Sequence, residues 1–320
     1  MRGKSEKKED PLMIHDILTV GGSVVTLFLL MAVGFVLAKL QVLTKPALGQ
    51  MSKLLMYVVC PAIMIDILTA ETRNWDTVRV MLIAGAVLVG TYILNMILIQ
   101  LCFRKKAPEQ RGVLRFASIY GNTGFMGIPL IQAVLGDSAM LIAVTSLVVF
   151  NISTWTHGAI LIGGKERASV KKALLNPGTI GFLIAIVVFA SGIPIPGPVA
   201  DAVGFVGSLN TPLAMIIIGG QMAAVDLKSI LKDARLYVSA LLKLLIMPMI
   251  SLFVLLPLGL EPIVVVAVTI LAGCPTAGAT SIMSEMMGKD ASLAARLVTL
   301  STIFCVITLP LVAAVARMLA

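Results

Sequence analysis

The chain has 320 residues, of which 58% are apolar and 13% charged, and a mean hydropathy of +1.02. Soluble domains carry about a quarter charged residues, so this composition excludes a soluble enzyme or binding domain and indicates an integral membrane protein. The net charge of +9 does not point to nucleic acid, because the cations fall in alternate loops between apolar runs, as the positive-inside rule produces.

The first ten residues, MRGKSEKKED, form a charged tail within an N-terminal segment 1–15. The apolar run after it is full length and lacks a small-residue cleavage site, so no cleavable signal peptide is expected. Ten spans are predicted, over about 17–38, 51–70, 77–101, 112–135, 139–161, 177–193, 203–223, 235–257, 262–287 and 293–316. Each is near the length a helix needs to cross the hydrocarbon, and nothing shows the alternation of a barrel. The loops after spans 1, 3, 5, 7 and 9, counted with the ends of the spans that follow them, hold 17 Lys and Arg, against 7 on the other side, with Lys243 deeper inside span 8. The richer side is expected in the cytoplasm, which puts both termini outside a multi-pass protein of the cytoplasmic (plasma or inner) membrane. Cys60, Cys102, Cys274 and Cys305 form no CxxC pair, and no HExxH occurs. No metal site is expected.

Three pairs of short segments repeat at a spacing of 151 or 152 residues. CPAIMI (60–65) resembles TPLAMI (211–216), GNTGF (121–125) resembles GCPTA (273–277), and GDSAM (136–140) resembles GKDAS (288–292). The common offset divides the chain into two five-span halves, 16–165 and 166–320. An odd number of spans per half inverts the second relative to the first, an architecture of secondary transporters. The expected fold is therefore all-α and polytopic, with ten transmembrane helices in two inverted five-helix repeats.

Spans 4 and 9, equivalent in the two halves, are both interrupted. The breaks are Gly121-Asn122-Thr123-Gly124 and Gly273-Cys274-Pro275-Thr276-Ala277-Gly278. Glycine permits non-helical backbone, and proline lacks an N–H. Such backbone is tolerated at membrane depth only against protein or a wet cavity. Paired breaks point to a transport site. If they cross, the second half of each helix starts at the crossing, with Asn122 or Thr123, and Thr276, as caps and Pro275 in a first turn. Two positive helix ends then converge into an anion site needing no fixed cation, suited to a carboxylate. The plainer reading is that these small residues allow close helix packing.

At these residues the chain resembles the auxin efflux carrier family, which includes plant PIN carriers and bacterial organic-acid permeases. NTGFMGIPL (122–130), KLLMYVVCPAIMI (53–65), KLLIMP (243–248) and CPTAGA (274–279) carry the resemblance. It implies a PIN-like, bile-acid-symporter-like fold. Spans 1, 2, 6 and 7 would form a scaffold, usually dimeric, and spans 3–5 and 8–10 a transport unit crossing at helices 4 and 9. It also implies organic anions as substrates, auxin in plants and malate- or malonate-like acids in some bacteria. Asn122 falls on the family's crossing asparagine and Pro275 on its second crossing proline. Gly121 stands where plant carriers have proline, Thr276 where they tend to have a larger amide, and their long cytoplasmic loop is absent.

The candidate substrate-binding residues are Gly121, Asn122, Thr123, Gly124, Cys274, Pro275, Thr276, Asn151, Asn210 and Lys243. Lys243 has two readings, a partner for a carboxylate or a side chain reaching toward the cytoplasmic face. Asn151 and Asn210 either face the crossing or bond between helices. Glu285 is either a proton-coupling carboxylate or a solvated helix end. The expected function is a secondary transporter of a small organic anion by elevator-type alternating access, not an enzyme. No cofactor is expected, and H+ or Na+ are the candidate coupling ions. The expected partners are the substrate, the bilayer and a second copy in a homodimer. A membrane-embedded anion sensor using the same pocket without transport is the alternative.

Overall fold

The computed structural model describes residues 11–226, 230 and 233–320. The charged tail, with Arg2, Lys4, Lys7 and Lys8, therefore lies outside the described residues, as do Lys228 and Lys232. The described residues are helical, with a single isolated bridge and no strand among them. We number the helices α1 (Pro11–Lys39), α2 (Lys45–Ala70), α3 (Trp75–Ile99), α5 (Asp137–Gly163), α7 (Gly197–Ala223), α8 (Ala234–Leu258) and α10 (Ala291–Leu319). Between them lie α4, in two pieces α4a (Pro108–Ile119) and α4b (Thr123–Leu135), α6 (Pro177–Ser191), and α9, in two pieces α9a (Pro262–Gly273) and α9b (Ala279–Met286). Six of these helices are long and apolar enough to cross a membrane, and four shorter apolar segments accompany them. The protein is a multi-pass membrane protein.

Prolines shape the helices without stopping them. Pro61, Pro129 and Pro248 each remove an N–H that the turn before needs. In all three places the chain widens to a π-turn just upstream. The N–H of Cys60 reaches back five residues to Leu55, that of Ile128 to Thr123 and that of Met247 to Leu242. Such single wide turns absorb a local mismatch without ending the helix.

The helices fall into two packed groups. In one, α1 lies along the second half of α7, and the second half of α2 lies against α6 and the start of α7. The first contact is closest at Gly34, where a Cβ would strike the Ile216 backbone, and at Gly219, where one would strike Met31. Small residues let membrane helices approach this closely. In the other group, α5 packs on α3 and α9a on α8 and α10. The most apolar stretch of α5 is 72% buried, against 33% for that of α3, so α5 is interior and α3 keeps an outer face.

Candidate functional site

The interruptions in α4 and α9 meet. Gly121 and Thr276 form an isolated antiparallel bridge. The Asn122 N–H donates to the Pro275 carbonyl at 2.7 Å, and the Ala277 N–H to the Tyr120 carbonyl at 2.9 Å. Two unwound segments thus satisfy each other, as buried backbone in a membrane protein must. Side chains complete the junction. The Thr276 hydroxyl donates to the Ala117 carbonyl at 2.9 Å, and the Thr276 N–H donates to the Ser301 hydroxyl at 3.0 Å. The Asn122 carboxamide oxygen accepts from the Phe125 N–H and caps α4b.

This arrangement corrects two details of the sequence reading. Thr276 is not a helix cap: its hydroxyl is spent on α4a, and the cap position of α9b is Gly278. The converging N–H groups are not all free either, since those of Asn122, Thr276 and Ala277 are taken by protein oxygens.

A cation sits where the helix ends were expected to suffice. Lys243, carried by the π-turn of α8, is 2% exposed. Its ammonium donates to the Ala272 carbonyl at 2.5 Å, in the last turn of α9a. That helix end bears unpaired carbonyls and the negative pole of the helix dipole, which favours a cation there. Among the described residues no carboxylate pairs with it. An ammonium has three donors, so two remain beyond the Ala272 bond. The side chain does not reach for the membrane face.

Lys243 borders a small cavity with Gly121, Thr123, Leu271, Thr91 and Asn95. Its volume is about 20 Å³, room for about one water molecule. Gly121 is what lets the ammonium approach the junction: a Cβ there would lie 2.9 Å from Nζ and 3.2 Å from the Cys274 carbonyl oxygen.

The remaining candidates separate by position. Gly124 packs against Leu147 of α5, where a Cβ would fall 2.9 Å from its side chain. Cys274 is fully buried at the junction, its thiol beside Gly127. Asn151 and Asn210 do not border the cavity. Asn151 lies against Gly178 at the start of α6. Asn210 is wholly buried in α7 and accepts from the Cys60 thiol at 3.7 Å. Glu285 is exposed at the end of α9b and does not border the cavity. Thr91 and Asn95 of α3 escaped the sequence reading. Their signal was two polar residues four apart in an apolar helix, hence on one face.

The family model described as membrane transport protein matches residues 19–171 and 166–313. A relative from Methanothermobacter thermautotrophicus, named "Uncharacterized transporter", is 24% identical over 298 residues, covering 90% of this chain and 96% of the relative. Another, from Rhizobium meliloti and named "Putative malonate transporter", is 23% identical over 303 residues, covering 90% of this chain and 93% of the relative. With matches that take in both interrupted helices, the chain belongs to the membrane transport protein family, that of the auxin efflux carriers its motifs resemble.

Proposed function

We propose that the protein is a secondary transporter that carries a small organic anion across the cytoplasmic membrane, binding its carboxylate at the junction of α4 and α9. The observation that carries this reading is Lys243, a buried ammonium with two unused donors, beside a cavity and against paired broken helices. A buried charge without a counter-charge is costly in a membrane and marks a functional site by default. A carboxylate is the complementary guest. The name of the Rhizobium relative makes malonate the first acid to try.

The proposed architecture is ten spans in two inverted halves, 16–165 and 166–320, with α1, α2, α6 and α7 as scaffold of a homodimer and α3–α5 with α8–α10 as the moving unit. The grouping of helix contacts supports it. So do Gly136 and Gly288, 152 residues apart in the GDSAM and GKDAS segments, which both adopt positive φ, +70° and +64°. A cavity of about 20 Å³ holds no three-carbon acid, so binding requires the moving unit to shift and open it, as alternating access demands. Both termini face outward in this reading, and H+ or Na+ provides the drive.

Reconstituted protein tests it. Liposomes loaded with unlabelled malonate should exchange it for external radiolabelled malonate, saturably. Sodium and pH gradients, applied in turn, should identify the coupling ion by accelerating uptake. Lys243→Met should fold and lose exchange. Exchange of malonate, malate and lactate no faster than in empty liposomes, by folded wild-type protein, would sink the reading.

A further inference from the structure

Three polar side chains around the Lys243 cavity have no protein partner. The Asn95 carboxamide oxygen and the Thr123 hydroxyl are buried and unbonded, in residues 5% and 2% exposed. Thr91, 8% exposed and bordering the same cavity, makes no hydrogen bond among the described residues. Thr154, Thr179, Thr280 and Ser284 are also buried and unbonded, away from this cavity, so what distinguishes Asn95 and Thr123 is that they border it beside Lys243. Ser118, Thr145, Ser251 and Thr269, buried in helices, each donate to the carbonyl four residues before. This is the ordinary way a hydroxyl is satisfied inside a helix. Thr91 has the same option and leaves it unused. An unsatisfied buried polar group is costly, so the two buried atoms, of Asn95 and Thr123, call for a ligand, and the Thr91 hydroxyl lies beside them at the same cavity.

The rest of α3 sharpens the point. Val89, Ile93 and Ile97 are exposed on its outer side, whereas Leu88, Thr91 and Asn95 border the cavity, at the helical spacing of a single inner face. Resting on the transport reading above, we propose that Thr91 and Asn95, with Thr123, form a second subsite that holds a hydroxyl or second carboxyl group of the bound acid. The site thereby selects bifunctional acids over plain monocarboxylates.

The chemistry of the subsite sets the class of ligand. Lys243 is the cavity's sole cation and no carboxylate borders it, so it balances one negative charge. The subsite itself is neutral. Two hydroxyls and a carboxamide offer donors and acceptors together, and the Asn95 amide, held by no partner, can present either end. They suit the hydroxyl of a hydroxy acid or, in its protonated form, the second carboxyl of a short diacid. A methyl group in that place would leave all three unpaired, which is how a polar site rejects an analogue lacking the polar group.

Three acids of equal carbon number separate the outcomes: lactate, malonate and propionate, titrated calorimetrically against the purified protein. Lactate or malonate should bind more tightly than propionate by roughly tenfold, the worth of one or two hydrogen bonds. Asn95→Leu and the isosteric Thr91→Val should bring that ratio toward one while propionate affinity holds. Lys243→Met should abolish binding of all three. Folded variants that keep the wild-type ratio, or that weaken the three acids equally, overturn the subsite and leave the transport reading standing. If Asn95→Leu does not fold, Thr91→Val decides. Wild-type protein that binds none of the three overturns both.

Discussion

At the scale of single residues, the site depends on the absence of a side chain as much as on the presence of one. A methyl group at Gly121 would meet Lys243 Nζ at 2.9 Å, closer than a Cβ contact tolerates. The lysine tail is flexible and can retreat, while the Cys274 carbonyl oxygen at 3.2 Å is backbone and must shift slightly, so Gly121→Ala should fold with a modestly lowered melting temperature. Displacing the ammonium from the cavity should weaken carboxylate affinity about tenfold or more, the loss of a charge-assisted hydrogen bond, read by calorimetry. Unchanged affinity would show that the ammonium position beside Gly121 is not used in binding. The glycine and the lysine were both visible in the sequence, as a helix breaker in an apolar run and a cation inside a span. Their meeting was not, because they are 122 positions apart and nothing local links them. Thr91 and Asn95 were harder still, since two polar residues in an apolar helix are commonly interhelical bonds. Asn151 and Asn210 show the same ambiguity from the other side. They had equal claims in the sequence, yet one lies at the start of α6 and the other against Cys60.

The breaks belong to the scale of elements, and they were the most legible feature of the chain, because helix breakers cluster at equivalent positions of two spans. Their mutual backbone pairing required the fold. Asn122 has two capacities that substitution can separate. Its oxygen caps α4b through the Phe125 N–H, while its amide N–H₂ makes no hydrogen bond among the described residues. Asn122→Ala removes both and should cost about 1 kcal/mol of stability, a typical cap loss, as well as affinity. Asn122→Ser keeps a capping oxygen and should melt near the wild type while still losing carboxylate affinity. If the serine variant binds as the wild type does, Asn122 is a cap and nothing more. The start of α8 is held differently. Asp233 caps it, pairs with Arg235 at 2.6 Å and lies 3.6 Å from Arg296 at the start of α10, while Arg235 also donates to Gln110 of α4a. The Arg235 hydrogen bond holds the Asp233 carboxyl below its ordinary value of 3.8. A depressed carboxylate stabilises the fold fully above that ordinary value and loses its contribution as pH falls through its own lower one. Asp233→Asn should therefore lower stability by about 1 kcal/mol at neutral pH, the scale of a partly exposed pair. The gap from wild type should close below pH 4 in acid melts. A gap that stayed constant with pH would assign the loss to packing.

For the whole molecule, the open question is which way each half faces, and the 152-residue repeat makes the answer measurable. The segments GDSAM (136–140) and GKDAS (288–292) follow the two broken helices, and each begins with a positive-φ glycine. If the halves are parallel, residues 138 and 289 lie on the same face of the membrane. If they are inverted, the two lie on opposite faces. The distribution of Lys and Arg argues for inversion, since the loop after α9 holds Lys289, with Arg296 just inside α10, and the loop after α4 holds none. Three of the four native cysteines, Cys60, Cys274 and Cys305, are buried, and Cys102 is half-buried, so a background with Cys102→Ala should be nearly silent toward a membrane-impermeant maleimide. In that background Ser138→Cys should label on intact cells and Lys289→Cys should label after permeabilisation alone. Ser191→Cys, at the end of α6, should follow the first pattern and Lys165→Cys, after α5, the second. Labelling of Ser138→Cys and Lys289→Cys from the same side would remove the inverted repeat, and with it the argument that two equivalent broken helices enter the site from opposite faces. A complete exchange of the two patterns would keep the repeat and turn the protein over in the membrane, showing that the charged N-terminal tail outweighs the loop cations in setting orientation.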